Sequence, residues 1–378
     1  MRKHPPLLLL VSVLFALLPA VAQAAPSSLA GGLREVQQYD FSIHVLAMLL
    51  VGFGFLMVFV RKYAYGATTG TYLVVAAGVP LYLLLRGSGR LSAVPVLPDA
   101  IPAILLAEFA CASALIAMGA VLGRLRLYQY ALLAVLLVPA YMVNEWMVLD
   151  GGLGVTKGFV DSARGSMVLW MFWPSFCCAV VPPEQMPRTA IATVVALCAA
   201  TLATCLTSGL LRKGKVSFTD VANAALAGGV AVGATCNTVS PAGAFIIGAL
   251  AGALSVIGYV LVQPKLDAAL GIVDTCGVHN LHGMPGLLGG VAAIVVVPGI
   301  ATAQLAGIAF TVVLAFASGS LGGWLIRLTG SKRLAYEDAE DFILAGAAAG
   351  DAASGEAAGA TGAPPGPSLL TEKRCLRR

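Results

Sequence analysis

Apolar stretches long enough to cross a hydrocarbon core follow one another from Phe41 to Leu325, and this succession constrains the chain more than any other feature. A bilayer core is about 30 Å thick and is crossed by an α-helix of about 20 residues. With no water inside it to satisfy the backbone, only helices and closed barrels can span it. Of 378 residues 59% are hydrophobic and 11% charged, which a soluble globule does not need, so the fold class is all-α: a polytopic transmembrane helical bundle. The predicted spans run from Phe41 to Val60, Thr69 to Leu85, Ile101 to Leu122, Tyr130 to Leu149 and Ser166 to Val181. Five more run from Ala190 to Leu211, Val221 to Val239, Ala242 to Val262, His282 to Val297 and Ala303 to Leu325, giving ten.

The two ends differ from this pattern. Arg2 and Lys3 precede an apolar stretch from Leu7 to Ala20 and then Ala22-Gln23-Ala24, the small-x-small form that signal peptidase cuts, so residues 1–24 are expected to be a signal peptide. Residues 25–335 form the transmembrane domain. The tail, 336–378, is acidic at Glu337, Asp338, Glu340 and Asp341, then becomes a run of Ala, Gly and Pro with too little apolar surface to order itself. The eight cysteines are scattered without a CxxC pair and read as small buried hydrophobes. No disulfide framework, metal site, cofactor or nucleotide loop is implied, and nothing points to an enzyme. The formal charge of +5 is ordinary for the loops of an inner-membrane protein and gives no reason to invoke nucleic acid.

The basic residues bear on topology. With the mature N-terminus outside, Arg61, Lys62, Arg124 and Arg126 fall on the cytoplasmic side, as the positive-inside rule requires. With one span between Asp150 and Pro182, however, Arg212, Lys213, Lys215, Lys265, Arg327, Lys332 and Arg333 all fall outside. One further crossing in that interval returns every cluster to the cytoplasm, so the charges fit eleven spans where the apolar runs number ten.

One polar run stands out: Asp274-Thr-Cys-Gly-Val-His279-Asn280-Leu-His282-Gly-Met-Pro285, opening into the apolar Val291 to Val297 and holding two of the four histidines. A titratable group at membrane depth is costly unless it faces protein or a water-lined path, which makes the run a candidate functional site. A buried histidine is more often a satisfied structural group than a working one. A His-x-x-His turn could bind metal, but only Asp274 and Cys276 accompany it, too small a ligand set.

These stretches together resemble the Rh branch of the ammonium transporter (Amt/Mep/Rh) family. The resemblance rests on Val51-Gly-Phe-Gly-Phe-Leu-Met57, Gly119-Ala-Val-Leu-Gly123, Val143-Asn-Glu145, Leu169-Trp-Met-Phe-Trp-Pro-Ser-Phe176, Asn223 to Gly233 and above all Asp274 to Gly290. It implies two inverted five-helix repeats, a homotrimer, and a hydrophobic pore through each subunit that conducts ammonium or ammonia. It further implies that Phe109 and Phe176 are the stacked gate at the outer mouth and His282 a pore histidine. His279 stands where relatives often carry Asn, which makes His279 and Asn280 secondary pore candidates. Asp161 matches the acidic residue that opens the family's fifth helix, although it could equally cap a helix N-terminus. The chain departs from the family where Gly165-Ser-Met167 runs straight into Leu169-Trp-Met-Phe-Trp173: the fifth crossing and its pore histidine are missing, at the place where the charges demand one more span.

The chemistry suits those residue types. A bare ammonium ion cannot enter hydrocarbon, so a pore must deprotonate it or replace its water. A neutral imidazole offers one donor and one acceptor, and a phenyl face attracts a cation by roughly 0.5–2 kcal/mol. Methylammonium and carbon dioxide are further candidate passengers beside ammonia. The expectation is a passive channel in the inner membrane; the alternative is a non-conducting Rh-like subunit or ammonium sensor.

Overall fold

The computed structural model describes residues 29–54, 64–88, 101–148, 172–330 and 342. The predicted signal peptide, nearly all of the tail, and Asp161 with the interval around it lie outside the described residues. The chain divides into two units, Met1–Glu337 and Asp338–Arg378, and the first holds everything below.

Every regular element among the described residues is helical. Helix α1 (Leu29–Ala47) continues through a π turn, Met48–Phe53, and is followed by α2 (Ala64–Gly87), α3 (Ile101–Val121), α4 (Leu127–Val148) and a short α5 (Trp173–Cys178). Next come α6 (Met186–Leu211), two short helices α7 (Phe218–Ala224) and α8 (Ala227–Val232), and α9 (Pro241–Ile257), which runs through a π turn into α10 (Gln263–Leu270). A π turn over His279–Gly283 then opens α11 (Met284–Val296), and α12 (Ala301–Leu328) follows. Among the described residues seven helical stretches are long and apolar enough to cross a membrane. The other three predicted spans, Ser166 to Val181, Val221 to Val239 and His282 to Val297, hold the shorter helices α5, α7 with α8, and α11. Discontinuous helices of this kind are tolerated at membrane depth only when other helices surround them.

Two cores organise the bundle. One packs α1 to α4 around Tyr82, Leu115, Met118 and Tyr130, and the other packs α6, α8 and α9 around Leu197, Ala231 and Ile247. Helix α5 joins them: Phe176 belongs to the first and Trp173 to the second. Lipid gives no hydrophobic drive between helices, so close backbone approach must supply the attraction. Helices α6 and α9 achieve it with glycine, since a Cβ on Gly248 would run into the backbone of Ala196 and one on Gly252 into that of Ala200. Between α2 and α4 lies a buried ion pair: Arg86 Nη1 is 3.1 Å from Glu145 Oε2, which also accepts from the Tyr82 hydroxyl at 2.7 Å.

The contacts fix which ends share a membrane face. The Tyr128 hydroxyl donates to Thr329 O at 2.6 Å and Gln129 Nε2 to Gly330 O at 2.8 Å, so the start of α4, with Arg124 and Arg126, lies beside the end of α12, with Arg327. Thr275, in the loop after α10, bonds Ala120 O and Leu122 O at the end of α3, which brings Lys265 to that face. Because Gly248 meets Ala196 and Gly252 meets Ala200, α6 and α9 run parallel, and Arg212 at the end of α6 joins Lys265. All the described basic clusters therefore share one face, which the positive-inside rule makes cytoplasmic.

The opposite ends of the helices also lie together. Val148, ending α4, packs with Ala293 beside Ala234 and Ile300, and Asn237 donates to Gln185, just ahead of α6, at 2.9 Å. The end of α4 and the start of α6 thus lie on the face opposite the basic one. Within the apolar run Ser166 to Val181 the described residues hold a helix over Trp173–Cys178, and Trp173 lies against Gly229 within the bundle rather than at a surface. Hydropathy registers that segment's burial and not its path.

With native thiols blocked, Lys213→Cys and Lys265→Cys are both expected to react with a membrane-impermeant maleimide from the cytoplasmic side only; reaction of either from the opposite side would contradict this topology. Glu145→Ala leaves the Arg86 guanidinium buried without its carboxylate and is expected to cost about 3–5 kcal/mol, read as a lowered Tm in detergent.

Candidate pore and its aromatic entrance

The polar run is mostly occupied in building itself. Asp274 Oδ2 accepts from His279 N at 2.8 Å and so caps the π turn, while Gln263 Nε2 donates to Asp274 O at 2.9 Å. The Tyr259 hydroxyl reaches Cys276 O and Gly277 O at 3.2 and 3.0 Å. Gly277 has a φ of +69°, and a Cβ there would strike the Tyr259 ring, so only glycine serves. Asn280 is fully buried, donates to Gln263 Oε1 at 2.6 Å, and lies 3.3 Å through Oδ1 from His279 Nδ1. Thus Asp274, His279 and Asn280 each have a local partner.

His282 does not. Its residue is half-buried at the start of α11, and its Nδ1 is buried with no hydrogen-bond partner. An unpaired buried nitrogen costs about 1–3 kcal/mol. The second oxygen of Asp274, Oδ1, is also buried without a partner, so the run leaves two polar atoms unpaired, one carboxylate oxygen and one ring nitrogen. Nor do the acids and thiols nearby compensate as a metal site would: among the described residues no group of three or more His, Cys, Asp or Glu could hold an ion.

Phe109 on α3 and Phe176 on α5 meet edge to face, ring centroids 4.4 Å apart and planes at 82°, both rings buried. Such a pair contributes about 0.5–1.5 kcal/mol beyond its area. Phe109 lies eight residues into a helix that begins on the face opposite the basic clusters, roughly 12 Å in by helix rise. His282 lies seven residues after Thr275, which is pinned at the basic face. Asp161 is outside the described residues.

Two neighbours of the ring pair, Glu108 and the His44 that the sequence reads as interfacial, have partners the sequence did not assign. Glu108 is fully buried; its Oε1 accepts from Ser42 at 2.7 Å and its Oε2 has no partner. A carboxyl inside the apolar run Ile101 to Leu122 was signal enough, because such groups are rare at that depth. His44 Nδ1 lies 3.1 Å from the Ser175 hydroxyl and its ring 5.7 Å from that of Phe172, which sets an exposed imidazole beside Phe176. Nothing in the local sequence around His44 announces a partner 131 residues away.

Fold and site together define a multi-pass helical membrane protein with a broken-helix interior that carries an unpaired imidazole and an aromatic pair. The chain belongs to the Ammonium Transporter Family, whose model matches residues 33–168 and 165–347, and within it to the Rh branch. The two matched segments meet at 165–168, where the resemblance puts the missing crossing. The chain is 36% identical over 295 residues to ammonium transporter Rh type B-A of Xenopus laevis, covering 67% of this chain and 64% of that one. It is 35% identical over 351 residues to ammonium transporter Rh type B of Oryctolagus cuniculus, covering 75% and 77%. The solved structure of Nitrosomonas europaea Rh50, described with a mechanism of conduction by Rhesus channels, superposes with a TM-score of 0.77 at 52% identity, covering 86% of this chain and 97% of that one. The chain thus spans a little under two thirds of the first of these relatives.

Asp274→Ala removes the carboxylate that receives His279 N, and a cap of this kind is worth about 0.5–2 kcal/mol, so a lowered Tm is expected with the fold retained. An unchanged Tm would mean that the loop is held without it.

Proposed function

We propose that this chain is a passive channel for ammonia or ammonium in the inner membrane, working as a homotrimer. The observation that carries the reading is the buried, unpaired His282 Nδ1, inside a family whose named relatives are ammonium transporters; in this reading it lies on the cytoplasmic side of the Phe109–Phe176 pair. The paired rings exclude water and offer π faces where the substrate sheds its hydration. Beyond them a neutral imidazole can accept from an N–H of the passenger through its free nitrogen or donate to ammonia's lone pair, according to tautomer. His279 and Asn280 hold the turn that aims His282. Asp161, if it lies at the outer mouth, adds a carboxylate that attracts the cation.

A second reading, a non-conducting subunit or sensor, is favoured by the sequence, in which no histidine lies between His44 and His279 to match the first of the family's two pore histidines. Uptake of radiolabelled methylammonium by vesicles containing the purified protein separates them. Flux above empty vesicles, abolished in His282→Ala and raised or deregulated in Phe176→Ala, is the expected result; a folded wild-type protein with no flux supports the second reading.

A further inference from the structure

A groove of about 580 Å³ lies between α3, α4 and α12, and neither the aromatic pair nor His282 is among its lining residues. Apolar side chains such as Leu133, Leu137 and Leu314 line its length, and Arg124 and Arg327 line its basic end. We infer that this groove is a binding site for an anionic phospholipid of the cytoplasmic leaflet, with an acyl chain along α12 and the headgroup phosphate between the two guanidiniums.

Three observations support that occupant. Helix α12 is the least enclosed of the span-length helices, only 11% of its apolar window being buried, so the groove opens toward lipid. Gly319 and Gly323 face it, and a Cβ on either would meet nothing within 4 Å. Glycine is a weaker helix residue than alanine, and no neighbour in this chain requires it there; its effect is to keep the groove wide. Arg124 and Arg327 are exposed at the basic face and form no ion pair among the described residues. Basic pockets between helices on the cytoplasmic side suit anionic headgroups. A second copy of the chain could use Gly319 and Gly323 as a small-x-x-x-small contact, but its apolar helix would leave both arginines without a counter-charge.

The test is thermal unfolding of the full-length protein in detergent titrated with phosphatidylglycerol or phosphatidylcholine. Phosphatidylglycerol is expected to raise the Tm saturably, and phosphatidylcholine to raise it far less. The shift should vanish in Arg124→Gln/Arg327→Gln and in Gly319→Leu/Gly323→Leu. Should the variants not fold, native mass spectrometry of the wild type decides, with phosphatidylglycerol retained in preference to phosphatidylcholine supporting the site. Equal shifts or equal retention for the two lipids, a full shift in the arginine variant, or disulfide-linked dimers through Gly323→Cys in native membranes would overturn it.

Discussion

Hydrocarbon offers no hydrogen bonds, and almost everything in this structure follows from that. Backbone groups must be satisfied within helices, so a break in a helix has to be repaired by its neighbours. The stretch from Asp274 to Gly283 is such a repair. Carboxylate, amide and phenol from the run itself and from Tyr259 and Gln263 take up most of its loose ends, leaving Asp274 Oδ1 and the His282 ring nitrogen unpaired. The proposed role needs the His282 ring to hold no part of the turn, since a ring that did so could not change partners freely.

The same constraint shapes the outer half. Helix α5 is too short to span the membrane, yet its two faces enter different cores, Phe176 with the first four helices and Trp173 with the later ones. It works as a rivet between the halves and presents Phe176 to Phe109 across the seam. The chain thereby positions an aromatic pair with six residues of helix. Glu108, one residue from the pair with a bare oxygen, and His44, reaching it through Ser175, give this seam more polar character than its apolar sequence suggests.

Much of this was legible in the sequence, for identifiable reasons. Apolar run length reports burial in lipid directly, so the helical class and most spans were readable. Charge was informative about topology: the positive-inside rule asks for Arg212, Lys265 and Arg327 on one face, and contacts at Tyr128, Thr275 and Gly248 place them together. A six-residue helix inside a longer apolar run carries no signal of its own length. Pairings such as His44 with Ser175 or Ser42 with Glu108 depend on how helices rotate against one another, which periodicity in a membrane helix, apolar on every side, does not encode. The family likeness located Phe109, Phe176 and His282, and only coordinates separate the satisfied His279 from the unsatisfied His282.

The division of labour between those two histidines is the central claim, and stopped-flow recording of the internal pH of proteoliposomes under an inward ammonia gradient tests it most directly. The account predicts faster alkalinisation than in protein-free vesicles, retained when His279 is replaced by Asn and lost when His282 is. Equal rates for the His282 variant and the wild type, or loss with the His279 variant alone, would contradict it.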